Sequence, residues 1–88
     1  MEFDWDAANI EHIARHEVTP VEFVEAFYNA PVFLKVGNVN GEDRFVFAGR
    51  TNEGRVLRLV WTMRDGRIRP VTAHESTKHR KLFQKEEP

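Results

Sequence analysis

The segment RFVFAGRTNEGRVLRLVWTMRDGRIRPVTA, residues 44–73, decides the fold because its apolar and polar residues alternate between clear turn signals. The alternation predicts three β-strands, at residues 44–50, 56–64 and 68–73. Asn52-Glu53-Gly54 and Asp65-Gly66 are typical of hairpin turns, so neighbouring strands should be antiparallel. Pro70 has no backbone N–H, which predicts that its strand lies at a sheet edge or contains a bulge.

The residues before this segment predict two helices. Asp6 is a typical N-cap for a first helix, which is expected to end near His16. Thr19, Pro20 and Glu22 predict the start of a second helix, because they combine a capping box with proline at the first helical position. The other predicted elements are a short strand at 3–5, a strand at 32–36 and a final short helix at 75–83.

These elements predict one α+β domain that comprises residues 1–88, with the order β-α-α-β-β-β-β-α. Two N-terminal helices should cover one face of a twisted antiparallel sheet. The absence of cysteine excludes disulfides, a thiol nucleophile and a zinc–thiolate site. No apolar run approaches the ~20 residues that span a bilayer, and the N-terminus does not resemble a signal segment. We therefore expect a cytoplasmic protein with no membrane partner.

The charge of the chain is divided between its two halves. Residues 1–43 contain nine acidic residues against Arg15 and Lys35, a net charge of −7. Residues 44–88 contain eleven basic residues against five acidic ones, a net charge of +6. Such asymmetry favours a surface for phosphate or for an acidic partner. The alternative is that the two halves neutralise each other within one fold.

The strand alternation also predicts an arginine-rich sheet face. It places Arg44 and Arg50 on one face, together with Arg58 and Arg64 if the hairpin keeps its register, and it places no matching acid on that face. The opposite, apolar face should pack against the helices. A planar guanidinium matches phosphate and keeps its charge at neutral pH, so this face suits an RNA backbone. The alternative is that these arginines only provide solubility and prevent edge pairing.

Metal-free RNA cleavage requires a base for the ribose 2′-proton, an acid for the leaving oxygen and cations for the phosphorane. His74 or Glu42 could supply the base and the acid, because histidine titrates near neutral pH. The candidate catalytic residues, including the cations, are His74, Arg64, Arg44, Glu42 and Arg69. The candidate RNA-binding residues are Arg50, Arg58, Lys78, Arg80 and Lys81. Alternatively, His74 has no catalytic role and only forms a hydrogen bond to the backbone at the start of a helix.

Three further histidines have simpler interpretations. His12 and His16 are spaced i, i+4, which is possible for a metal pair, but no third ligand is evident and we expect no metal or other cofactor. His16 near a helix C-terminus is explained by a favourable contact with the helix dipole. His79 lies in a basic segment and should face solvent.

Short motifs cover nearly the whole chain, from Phe3 to Phe83, and together they resemble BrnT-type toxins. They follow one another in the order and spacing of that family. The motifs are Phe3-Asp4-Trp5-Asp6, His12-Ile13-Ala14-Arg15-His16, Val18-Thr19-Pro20 with Glu22 and Glu25, Glu42-Asp43-Arg44, Gly49-Arg50-Thr51, Gly54-Arg55 and Arg69-Pro70-Val71-Thr72-Ala73. The resemblance implies a RelE-like fold and a metal-independent RNA endonuclease toxin that inhibits translation. It also implies an antitoxin with a ribbon-helix-helix DNA-binding domain, through which the complex would bind promoter DNA.

The chain departs from this family pattern at three positions. His74 stands where arginine is usual, Phe83 where tyrosine is frequent and Glu17 where glycine is usual. The change to histidine replaces a fixed cation with a titratable group, and the change to phenylalanine removes a hydroxyl. Two hypotheses follow. Either His74 has taken over acid–base catalysis, or the chain is a catalytically weak module that binds an antitoxin or RNA without cutting.

Overall fold

The computed structural model describes residues 1–84 and has an α+β fold, as the sequence predicts. The elements are α1 (Ala7–Ala14), α2 (Pro20–Tyr28), β1 (Val32–Val39), β2 (Glu42–Arg50), β3 (Val56–Arg64), β4 (Arg67–Glu75) and a C-terminal 3-10 helix (Thr77–Phe83). The strands form one antiparallel sheet in the order β1-β2-β3-β4. The predicted single domain also includes residues 85–88, which lie outside the described residues.

Both helix starts are stabilised as the sequence predicts. The Asp6 carboxylate accepts a hydrogen bond from the Asn9 N–H at 2.8 Å, and the Asn9 side chain accepts one from the Asp6 N–H at 2.9 Å. Thr19 and Glu22 form the same reciprocal pair at 3.1 Å in both directions, with Pro20 at the first helical position. These bonds satisfy backbone donors that a helix leaves unpaired.

The two ends of the described chain differ from the prediction. The expected first strand is a single parallel bridge, Phe3 to Ile68, because the chain turns into α1 at Asp6. The expected last helix is a 3-10 helix that begins at Thr77, because β4 continues to Glu75. The Ser76 hydroxyl contacts the Nδ1 atom of His79 at 2.6 Å and caps no backbone N–H.

The irregular pairings lie in the outer strands. Val60 pairs with Thr72 and Trp61 with Pro70, so Val71 is an extra residue in β4. Since β4 is also the last strand of the sheet, both alternatives predicted for Pro70 are correct. The turn from β1 to β2 is at Asn40, four residues beyond the predicted strand end.

The core lies between the helices and one face of the sheet. The helices contribute Ile13, Phe23 and Ala26, and the sheet contributes Leu57 and Leu59, all of them fully buried. The aromatic residues at its margin are Phe3, Trp5, Phe27, Phe45, Phe47 and Trp61. The apolar sheet face therefore faces the helices, as predicted.

The close contact between α2 and β2 depends on Gly49. A β-carbon at this position would overlap the carbonyl oxygen of Ala26 in α2, and it would lie 2.7 Å from the Ala26 carbonyl carbon. Both atoms belong to the helix backbone and cannot move independently of it. Glycine therefore allows α2 to approach the sheet closely enough to bury Phe23.

The other sheet face is partly covered. The 3-10 helix packs against β3, and the apolar residues of this face, Val46, Ala48 and Val60, are buried. The face opposite the helices is therefore not a bare arginine surface. It is divided into the part under the 3-10 helix and the part near the β3–β4 hairpin.

Candidate active site

The predicted common face of the four arginines is confirmed by the strand register. β2 and β3 pair without interruption from Phe45 opposite Trp61 to Arg50 opposite Val56. Since side chains alternate along each strand, Arg44, Arg50, Arg58 and Arg64 point to the same side of the sheet. Their surroundings, however, differ along the strands.

Glu42 lies on the same face and neutralises two of these arginines. Its carboxylate bonds to Arg64 at 2.9 Å and lies 3.5 Å from the Nε atom of Arg44. The expectation that no acid matches the arginines is therefore wrong. The hydrogen bond from Arg64 lowers the pKa of the Glu42 carboxyl, which makes it a carboxylate and a weak base at neutral pH. We call Glu42, Arg44 and Arg64 the Glu42 cluster.

A cleft of about 270 Å³ borders the Glu42 cluster, and both His12 of α1 and Arg69 of β4 contribute to its walls. The Arg69 guanidinium bonds to Asp6 at 2.7 Å and to Asp4 at 3.3 Å. The bond to Asp6 raises the pKa of Arg69, so its charge is permanent. Arg69 thus connects the N-terminal segment to the sheet edge, and its donors are engaged.

His74 lies in a different environment, directly opposite Arg58 in the β3–β4 register. Its ring centroid is 6.0 Å from that of His16, which projects from the end of α1. Burial lowers the pKa of His74, and electrostatic repulsion from Arg58, and then from His16, His79 and Lys78, lowers it further. The imidazole is therefore neutral at neutral pH and lies beside a fixed cation.

We call His74, Arg58, His16, His79 and Lys78 the His74 cluster. Within residues 1–84, none of the ion pairs between side chains includes a member of this cluster. This distinguishes it from the Glu42 cluster, where a carboxylate accepts a hydrogen bond from Arg64 and forms an ion pair with Arg44. Arg58 and Lys78, the two fixed cations of the cluster, can bind an oxyanion beside the neutral imidazole that accepts the proton.

His79 does not face solvent as expected. Its side chain is half-buried and, with Arg58 and Lys78, lines a cavity of about 210 Å³ beside the 3-10 helix. Burial, and then the charge of Lys78, lowers the pKa of His79. The Ser76 hydroxyl at 2.6 Å holds the ring at its Nδ1 atom.

The structure does not gather all five candidate catalytic residues in one place. Arg58, beside His74, and Arg64, beside Glu42, are six residues apart on β3, which corresponds to about 20 Å at ~3.3 Å per residue. His12 lies between the clusters, because it lines the cleft and its ring centroid is 6.1 Å from that of His16. Two separate groups of polar residues thus share one face.

The remaining candidate RNA-binding residues surround the His74 cluster or lie beyond it. The Arg50 guanidinium is 5.8 Å from the centroid of the Phe83 ring, a cation–π distance. Arg80 lies 3.5 Å from Glu75, and both Arg80 and Lys81 are exposed on the 3-10 helix. Phe83 therefore orients a cation, a role that requires no hydroxyl.

Sequence reasoning missed His16 as a neighbour of His74. The available signal was its i, i+4 spacing from His12, which places both rings on one side of α1. What the spacing could not indicate is that this side of the helix faces β4. Within residues 1–84, no three histidine or acidic side chains are arranged to hold a metal ion.

The fold and the site define a small α+β protein whose sheet carries a cationic cluster around a titratable histidine. A sequence model of one protein family, described as the ribonuclease toxin BrnT of type II toxin–antitoxin systems, matches residues 5–79. The chain therefore belongs to this family of ribonuclease toxins, and the family implies an antitoxin partner. No curated protein matches the chain.

This membership confirms the resemblance that the sequence motifs indicated. None of the helices within residues 1–84 is long and apolar enough to cross a bilayer.

Proposed function

We propose that this chain is a metal-independent RNA endonuclease that inhibits translation by cutting mRNA, and that its reaction centre is the His74 cluster. The observation that carries the proposal is the cross-strand pair of His74 and Arg58, since no acidic group is among those that shift the pKa of His74. Such a pair combines a neutral base with a fixed cation for the reacting phosphate.

In the proposed reaction, His74 accepts the proton of the ribose 2′-hydroxyl. The 2′-oxygen then forms a bond to phosphorus, and the bond from phosphorus to the 5′-oxygen breaks. Arg58 and Lys78 stabilise the negative charge on the phosphorane oxygens. His16, whose ring centroid lies 6.0 Å from that of His74, is positioned to donate the proton that the leaving 5′-oxygen requires. The products are a 2′,3′-cyclic phosphate and a free 5′-hydroxyl.

The Glu42 cluster has a different role in this proposal. Its carboxylate is a poor base, and its arginines already have an acidic partner. We assign Arg44 and Arg64, held by Glu42, to the RNA strand at a distance from the reacting phosphate. On the other side of the His74 cluster, Arg50, Arg80 and Lys81 extend the contact with the RNA, whereas Arg69 supports the fold through Asp6.

The family supports an antitoxin as partner. We propose an antitoxin with a ribbon-helix-helix domain, and promoter DNA that is bound through the antitoxin complex. RNA in the cytoplasm would be the substrate.

A second candidate function is a catalytically weak module that binds an antitoxin or RNA without cutting. Phe83 supports it, because the ring provides no hydroxyl and packs under Arg50. Incubation of the purified chain with RNA in EDTA, with and without translating ribosomes, separates the two. Cleavage in either mixture supports the endonuclease, whereas intact RNA in both supports the binding module.

The pH dependence of cleavage tests the role of His74. Because the neutral imidazole is the base, we expect kcat/KM in EDTA to be lost as pH falls through the lowered pKa of His74, below the ordinary value of ~6.5. Arg58→Gln removes a cation that lowers the pKa of His74. The pH at which kcat/KM falls should therefore move upward. Lys81→Gln is the control, since Lys81 is not among the groups that lower the pKa. A flat profile between about pH 4.5 and 8 would contradict a histidine base.

A further inference from the structure

The second helix, α2, is apolar on two sides. Phe23 and Ala26 point into the core and are fully buried. Val21, Val24 and Tyr28 form a second stripe with helical spacing, and Val21 is 66% exposed and Tyr28 55% exposed. A helix at a protein surface normally has one apolar stripe, which faces the core. The second stripe of α2 is therefore suited to another molecule.

This outward stripe borders a groove of about 510 Å³, which we call the α2 groove. Trp5 forms part of its wall, and its other main apolar residues are Val21, Val24 and Tyr28. The volume is in the range of sites that bind organic groups. At ~1.5 Å per residue, the nine residues of α2 extend about 13 Å, which matches two to three turns of a partner helix.

The charge at the groove is negative. The Glu25 carboxylate accepts hydrogen bonds from the backbone N–H of Asn52 at 3.0 Å and from the Asn52 amide at 3.1 Å. Within the described part of the chain, no lysine or arginine lines the groove or forms an ion pair with Glu25. Glu53 follows Asn52 in the same exposed turn. The acidic half of the chain thus has an apolar groove with an uncompensated carboxylate at its rim.

We propose that the α2 groove receives a basic amphipathic helix of the antitoxin. Apolar side chains of that helix would fill the groove, and a lysine or arginine would pair with Glu25, as in other helix-in-groove complexes. The proposal rests on the antitoxin partner and does not require RNA cleavage. The groove lies on the helical side of the sheet, whereas the His74 cluster lies on the other face, so docking and catalysis can be measured separately.

The test measures the affinity of the purified chain for the cognate full-length antitoxin by calorimetry. Val21→Lys should weaken binding at least about tenfold, because it removes apolar contact and places a cation against a basic helix. Val36→Lys is the matched control, since Val36 is 52% exposed on β1, and its affinity should stay within about twofold of wild type. Glu25→Gln keeps an acceptor for Asn52 and should reduce the salt dependence of binding.

The proposal is overturned if Val21→Lys and Glu25→Gln bind the antitoxin as the wild type does. It is also overturned if the chain alone forms a dimer that Val21→Lys dissociates while the affinity for the antitoxin is unchanged, because the groove then serves a second copy. RNA cleavage is measured in parallel. If Val21→Lys loses antitoxin binding and the wild-type chain does not cut RNA, the proposed docking surface is supported and the proposed endonuclease activity is rejected.

Discussion

Replacing His74 by alanine is expected to lower the rate of RNA cleavage by about two to four orders of magnitude, the usual contribution of a positioned general base. The side chain is half-buried, and the pairing of this residue opposite Arg58 is made by the backbone, so the variant should keep its structure. The measurement is single-turnover cleavage of RNA in EDTA, with circular dichroism to confirm that the variant is folded.

Two further variants distinguish proton transfer from charge. His74→Arg supplies a permanent cation but no base, so it should be as inactive as His74→Ala if the imidazole accepts the proton. His12→Ala is the matched control, since His12 is an exposed histidine that lines the cleft beside the Glu42 cluster. We expect it to retain most of the activity. Full activity in His74→Arg would show that this position needs only positive charge.

The next large effect is expected on stability, at Gly49. Gly49→Ala should lower the free energy of unfolding by about 1–3 kcal/mol or more, as overpacking of a well-packed contact does. The new β-carbon meets the Ala26 carbonyl group, so α2 must move away from β2 and uncover Phe23. Chemical denaturation monitored by tryptophan fluorescence gives the value.

Gly37→Ala is the control for this experiment. Gly37 lies in β1, its backbone φ is not positive, and no atom lies within 4 Å of an added β-carbon. This substitution should leave stability within about 0.5 kcal/mol of wild type or raise it slightly, since it restricts the unfolded chain. Equal stability of the two variants would mean that α2 does not pack on β2 at the described distance.

The local features of the fold were predictable because each depends on residues close in sequence. The capping pairs at Asp6 and Thr19 join residues three apart, and the β3–β4 turn depends on Asp65 and Gly66. Strand alternation likewise indicates which residues share a face. The shared face of Arg44, Arg50, Arg58 and Arg64 was predicted in this way and follows from the observed register.

The ends of the elements were less predictable, because competing contacts decide them. The N-terminal segment forms one bridge to Ile68 because the Asp6 cap starts α1 so early. The C-terminal helix is 3-10 and starts late because β4 continues to Glu75, opposite Leu57. Neither competition is visible in the residues of one element alone.

The composition of the site was decided by the tertiary structure. By itself the sequence determined the α+β order, the apolar and basic faces and the residues capable of the chemistry. It could not determine that Glu42 neutralises Arg44 and Arg64, that Asp6 engages Arg69, or that His16 approaches His74 from α1. These contacts join residues far apart in the chain, so they depend on how the strands are paired and on which side of α1 faces β4.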